Sequence, residues 1–336
     1  ISRAYARDIF LKISIILLEL KSRRGKHMAK YIVKRLILII PILLGISIIL
    51  FTIMNLTPGD PAQMLIGDTY TEDALVQLRS ELGLDKPFLV RYANYMLDAL
   101  RGDFGISYRT RNPVFAEVFS RFPHTVAITF LSIIIQLVVG VIVGIVAAVK
   151  QYSVMDTVSQ SITMVLASVP DFWIGLMLLL LFSVKLGLLP LSGIASWQGY
   201  ILPAVAVALP YMANLIRLTR STMLDVMRMD YIQTAQAKGV PKKMIIFKHA
   251  LKNALLPVVT IAGVNISWML GGTIVIEQVF NIPGIGSLMI QSIRNKDTPV
   301  VMATVMFIAV LSCLINLATD LIYAAIDPRV KAQIKG

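Results

Sequence analysis

Three histidines, one cysteine and a scatter of carboxylates are the reactive side chains of the chain, and their spacing suits no common hydrolytic or metal chemistry. His27, His124 and His249 stand far apart, so no metal-ligand spacing is present, and Cys313 lies inside an apolar block where a thiol is a small packing residue. No G-x-x-x-x-G-K-[ST] segment offers a loop to cradle phosphates, and neither G-x-S-x-G nor H-E-x-x-H occurs. The chain therefore carries no energy source of its own, and an intramembrane hydrolase lacks its constellation.

Ionisable residues within apolar blocks are the next place to look, because hydrocarbon tolerates them only where they pair or meet water. Asp171 lies near the middle of one block, Glu277 near the outer end of another and Asp320 near the inner end of a third. Two readings of Asp171 stand. It lines a substrate path, or it caps a helix fragment broken at Pro170, with its charge in a wet cavity. One mid-block carboxylate is thin support for a proton relay.

The stretch Tyr231-Ile232-Gln233-Thr234-Ala235-Gln236-Ala237-Lys238-Gly239-Val240-Pro241 is the most informative. Good helix formers run to Lys238. Gly239 permits the left-handed turn that ends a helix, and Pro241 suits the first turn of the next. That next helix, about Lys242 to Asn253, feeds through Leu256-Pro257 into an apolar block. Helix, tight turn and helix, attached to a membrane helix, can pass on a push from a docked partner. An ordinary basic loop held by anionic lipid is the other reading.

The elements that position these residues follow from composition. Of 336 residues 57% are hydrophobic and only 15% charged, with mean hydropathy +0.75 and net charge +13. A soluble domain carries about a quarter charged residues, and blocks of about 20 apolar residues are what a bilayer core needs. Six such blocks are expected: about Leu36 to Leu56, Thr125 to Val149, Ser159 to Val184, Tyr200 to Ile216, Leu255 to Val279 and Val300 to Ile326. Lys30, Lys34 and Arg35 precede the first. The 217–253 loop holds eight Lys or Arg against Asp225 and Asp230. Both cues put the termini and that loop in the cytoplasm. The 57–123 segment, with nine acids and seven Lys or Arg, then lies outside. It reads as two short helices and an irregular arm, one helix capped by Thr71 and closed by Gly83, the other opened by Pro87 and stopping near Gly102. Residues 1–27 open on Ile1, hold a broken apolar run and read as an extension ahead of a native start at Met28; 327–336 is a cytoplasmic tail. Gly263, Gly271 and Gly272 read as close helix packing, with gating flexibility as the other reading. The expected fold is an all-α membrane protein with a five-helix core over 124–326 after the first helix and the inserted segment.

Several segments together resemble the permeases of ATP-binding cassette importers of the dipeptide, oligopeptide and nickel subfamily. Gln233-Thr234-Ala235, Gly239 and Leu256-Pro257 occupy the places of the E-A-A loop pattern, with the glutamate and first alanine replaced, so no glutamate-mediated contact carries over. Pro58-Gly59-Asp60-Pro61, Gly102-Asp103-Phe104-Gly105-Ile106-Ser107, Pro113-Val114 and Pro170-Asp171-Phe172-Trp173-Ile174-Gly175 belong to the same likeness. So do His249-Ala250-Leu251-Lys252-Asn253-Ala254, Phe280-Asn281-Ile282-Pro283-Gly284-Ile285-Gly286 and Asp327-Pro328-Arg329. The long segment after the first helix is similar to the peptide permease B subunit.

The resemblance implies a type I importer permease in a bacterial or archaeal cytoplasmic membrane. It implies a second homologous permease, two cytoplasmic ATPases that bind the ATP and Mg, and an extracellular substrate-binding protein. No cofactor or nucleic acid is expected on this chain. Gln233, Thr234, Ala235, Lys238, Gly239, Pro241, His249, Leu256 and Pro257 are the expected ATPase-coupling residues. Asp171, Asn265 and Trp268 are the expected translocation path, and Asp60, Asp103 and Arg111 the expected binding-protein contacts. Di- or oligopeptides are the expected cargo, with nickel complexes or glutathione as alternatives. A secondary transporter, a channel and a membrane enzyme are the rival readings.

Overall fold

The computed structural model describes residue 33 and residues 35–57, 59–66 and 71–326. The expectations for residues 1–27, Met28, Lys30, Lys34, Pro58 and the tail from Asp327 lie outside them. Among the described residues every extended element is helical, and Ile106 and Pro113 form one isolated antiparallel bridge.

The first apolar block forms α1, Arg35–Leu56, much of it unburied by the rest of the chain. Arg35 pairs with Asp320 at 3.0 Å at one end of α1, and Phe51 packs among Phe88, Tyr92 and Tyr95 near the other. Three short helices follow rather than two: α2 (Pro61–Ile66), α3 (Glu72–Glu81) and α4 (Phe88–Leu100). The caps fall as the residue types predict. Thr71 Oγ1 accepts from Ala74 N, Gly83 takes φ +62° just past α3, Pro87 precedes α4 and Gly102 takes φ +82° beyond it.

The second span differs from expectation. Helix α5 runs Val114–Val149, eleven residues earlier than Thr125, straight through Pro123. Apolar burial outweighs the hydrogen bond that proline removes: Val114 and Val118 are buried in a cluster with Ile285, Leu288, Val300 and Ala303. The expected third span, continuous from Ser159 to Val184, is instead α6 (Val154–Ser168) and α7 (Asp171–Lys185), bent by 107°. Val169 and Pro170 between them are extended, since proline disfavours helical backbone in the residue before it.

Helix α8 (Trp197–Met227) continues well past Ile216, and α10 (Lys242–Val279) starts well before Leu255. Little of the expected 217–253 loop is therefore loop: only α9 (Asp230–Ala237) and its flanks are not prolonged span. A stretch of wider π turns over Ile245–Ala250 carries α10 into the bundle. Helices α11 (Ile285–Arg294) and α12 (Thr298–Ile326) are the last among the described residues.

The bundle centres on α5, α8 and α10, which approach through small residues. A Cβ at Gly144 would lie 2.5 Å from Thr219 Cβ, and one at Gly263 only 2.2 Å from Thr319 Cγ2 on α12. Close backbone approach of this kind is how membrane helices gain van der Waals contact. Among the described residues five helices are long and apolar enough to cross a membrane, six if the bent α6–α7 pair is one span.

Candidate functional site

The helix–turn–helix region around α9 forms an elbow at one end of the bundle. At the end of α9 the Val240 N–H reaches back to the Ala235 carbonyl at 3.2 Å while Gly239 sits at φ +76°. This is the helix-ending motif in which a left-handed glycine lets two turns close on each other. Pro241 then opens α10. Beneath the turn Ile232 is fully buried with Ile145 and Ala148 of α5, Met223 and Val226 of α8, and Ile245, Ile246, Ala250 and Ala254 of α10; Ala235 and Val240 pack against the same cluster. Asn253 Nδ2 donates to Tyr231 Oη at 2.8 Å, tying α9 to α10 a second time. Arg220 grips Asp156 with two bonds of 2.6 and 2.7 Å, fixing the start of α6 to α8.

Gln233, Thr234, Gln236, Ala237, Lys238, Gly239 and Pro241 are left exposed as one polar surface over an apolar seat. Of the expected coupling residues, Gln233, Thr234, Lys238, Gly239 and Pro241 meet there, and Ala235 turns partly inward. His249 is half-buried in the π turns, while Leu256 and Pro257 lie deeper along α10.

The expected path residues do not converge. Asp171 is the first residue of α7, after Pro170 at the N-cap position, and accepts from the adjacent Phe172 N–H at 2.7 Å, where the helix dipole favours its charge. Its other oxygen lies 3.2 Å from where a Cβ at Gly272 would sit, with the Tyr211 hydroxyl 3.8 Å from the same point. Asp171 is thus a half-buried first-turn carboxylate beside α8 and α10. Asn265 points into the bundle and donates to Gln136 Oε1 at 3.2 Å, whereas Trp268 is 67% exposed.

At the opposite end each expected contact residue has an internal partner. Asp60 accepts from Ala62 N at the start of α2 and from Arg79 Nε at 2.7 Å. Asp103 accepts from Gly105 N, and Arg111, at φ +60°, donates to the Leu65 carbonyl. Asp60 and Asp103 line one cavity of about 750 Å³, and Arg111 does not.

Two buried carboxylates organise this end: Glu277, placed from the sequence near the outer end of its block without a role, and Asp297, which carried no sequence signal. Glu277, fully buried, accepts from Thr125 Oγ1 at 2.6 Å and from Ser287 N at 2.9 Å, at the N-terminus of α11 where the helix dipole favours an anion. Gly284 makes room: a Cβ there would lie 2.2–2.4 Å from the Glu277 carboxyl atoms. Asp297 accepts from Ser107 Oγ at 2.5 Å and Tyr108 N at 3.1 Å, anchoring the arm to the start of α12. Burial, then the Asp297 charge, push the Tyr108 phenol up to about 12, so it stays neutral. Gly284 and Gly286 of the quoted motifs were the available signal, since a Cβ at either would collide with Glu277 or Ile274.

A bundle of bent and small-residue-packed spans with an exposed elbow at one end defines the class. The chain belongs to the binding-protein-dependent transport system inner membrane components: that family's profile matches residues 140–332, and the profile of its N-terminal region matches 28–129. It is a permease subunit of an ATP-binding cassette importer of the dipeptide, oligopeptide and nickel type. Among its relatives are the glutathione transport system permease proteins GsiC of Escherichia coli (strain K12) and of Salmonella typhi. Each is 40% identical over 304 residues, covering 90% of this chain and 99% of theirs. Two inward-facing structures of the MetNI methionine ABC transporter share the fold. One has TM-score 0.53 at 20% identity, covering 62% of this chain and 96% of that one. The other has TM-score 0.51 at 22% identity, covering 61% and 93%.

Proposed function

We propose that this chain lines the translocation path of the importer together with a second, homologous permease. The elbow surface Gln233–Gly239 receives the motion of a cytoplasmic ATPase. Two such ATPases bind the ATP and Mg, and this chain catalyses nothing itself. The protein sits in the cytoplasmic membrane of a bacterium or archaeon with both termini inside. The segment 57–113 faces out, where Asp60, Asp103 and Arg111 shape the surface that meets a substrate-binding protein. Asp171, at the bend beside Gly272 and Tyr211, is the polar group of the path. Asn265 and Trp268 serve it indirectly, one by joining α10 to α5 and the other by facing a neighbouring subunit.

One observation carries this reading: a polar, exposed turn is mounted on an apolar seat shared by three pore helices. A displaced α9 must move α5, α8 and α10 with it, because close-packed side chains transmit displacement. Short peptides are the proposed cargo. Glutathione, itself a tripeptide, is the second reading, favoured by the 40% identity to permeases named for it.

Purification from native membranes in mild detergent, followed by mass spectrometry, tests the assembly. A second permease and one or two ATPases are expected with the chain. A chain that comes down alone even after crosslinking, with uptake that survives ATP depletion and stops when the ion gradient collapses, would make it a self-sufficient carrier.

A further inference from the structure

The cavity of about 750 Å³ at the segment end has the size of a small-molecule pocket. Helix α4 forms one wall and the start of α12 another, and Phe51 at the end of α1 contributes to its lining. Helix α4 turns Arg91, Asn94, Tyr95 and Asp98 to the cavity, the i, i+3, i+4, i+7 face of a helix. Their charges run against the helix they sit on. Arg91 is in the first turn of α4, where a cation opposes the dipole, and Asp98 is in its last turns, where an anion does. Neither has a buried ion-pair partner among the described residues. Arg91 lies 6.0 Å over the Phe51 ring and makes no ion pair among the described residues. Asp98 has only a 3.7 Å approach from the exposed Arg101. The exposed Asn94 amide between them makes no hydrogen bond among the described residues. Asp103, whose N–H bonds the Asp98 carbonyl, brings a second carboxylate to the acidic end. Charges placed against local helix preference mark sites where something other than folding sets the sequence.

We propose that this cavity binds a short extended zwitterion, a peptide of about three residues, with its carboxylate at Arg91 and its ammonium between Asp98 and Asp103. The seven helical steps from Arg91 to Asp98 span about 10 Å. An extended chain covers ~3.3–3.6 Å per residue, so three residues bring its two charged termini to that separation. Asn94 is placed for the peptide backbone, and Phe51 and Tyr95 form an aromatic surface beneath it. The bound ligand also repairs the helix: its carboxylate lies at the positive end of α4 and its ammonium at the negative end.

This site is separate from the path at Asp171 and needs neither ATP nor the binding protein, so it stands or falls apart from the importer reading. The test is calorimetric titration of triglycine, N-acetyl-triglycine and triglycinamide. The protein is the chain with its co-purifying subunits in phosphatidylcholine nanodiscs, the binding protein absent. Saturable triglycine binding at about 1 mM or tighter is expected, weakened roughly tenfold by blocking either terminus, the loss of one charged contact. Arg91→Gln should weaken triglycine by the same factor and leave triglycinamide unchanged. Asp98→Asn should do so and leave N-acetyl-triglycine unchanged. No saturable binding, indifference of the wild-type protein to terminal blocking, or loss of binding in Asp171→Asn with the α4 variants unaffected would each overturn the proposal. The blocked probes on the wild-type protein keep the test decisive if a variant does not fold.

Discussion

The two ends of the bundle are built on opposite principles. At the elbow, α9 is seated chiefly by apolar contact: Ile232 and its cluster hold it, one Asn253–Tyr231 hydrogen bond assists, and the other polar groups are left on the surface. At the other end, α11, α12 and the arm are held by carboxylates, Glu277 and Asp297, each buried and each bonded to groups far away in the chain. Apolar seating is non-directional and moves as a body when pushed. A buried carboxylate with its donors in place is directional and costly to separate from them. The elbow end is thus made to transmit displacement, and the far end to hold a small number of defined arrangements.

Breaking the polar end should have the largest effect. Gly284→Val puts side-chain atoms where the Glu277 carboxylate lies, and we expect destabilisation above roughly 4 kcal/mol, seen as loss of the folded chain by detergent-extraction thermal stability. Glu277→Ala leaves the Thr125 hydroxyl and the Ser287 N–H unsatisfied and should cost about 2–4 kcal/mol by the same assay. The apolar end should respond more locally. Ile232→Ala empties part of the seat, for about 2–4 kcal/mol, and hydrogen exchange should rise over residues 230–241 while the pore helices stay protected.

Gly239 sharpens the comparison, because no atom would meet a Cβ there and only its φ of +76° matters. Gly239→Val should abolish transport in an inserted chain at a backbone cost of about 1–3 kcal/mol, whereas Gly239→Asn, which tolerates that region, should retain part of it. Uptake by an inserted valine variant would refute this account of the turn. The smallest effect is expected from Asp60→Asn, which loses an Arg79 pair at the surface, within about 1 kcal/mol.

What the sequence made legible was local. Apolar block length set the spans, Thr71 with Glu72 and Asp73 set a helix start, and Gly239 followed by Pro241 set the elbow turn. Local signals also misled. Pro123 looks like a boundary, yet burial of Val114 and Val118 against α11 and α12 carries α5 through it. Pro170 marks a break within the expected third span, as one reading of Asp171 has it, but no local property gives the 107° by which the chain turns there. The least legible features were the latches, because Thr125 and Glu277 are 152 residues apart and Ser107 and Asp297 are 190 apart. Asn265 and Trp268, three residues apart on one side of α10, read as one site, but Asn265 is covered by α5 through Gln136 while Trp268 stays exposed.

The central claim is that the exposed elbow surface is where an ATPase pushes, and crosslinking tests it most directly. Gln233→Cys and Lys238→Cys are placed in an otherwise functional chain in native membranes and treated with a short bifunctional thiol reagent, with Asp85→Cys on the segment as the opposite-end control. The account predicts that both elbow positions capture an ATPase, identified by mass spectrometry, in a yield that changes with ATP, and that Asp85→Cys captures none. Capture of an ATPase from Asp85→Cys, or its absence from both elbow positions in a transport-competent complex, would contradict it.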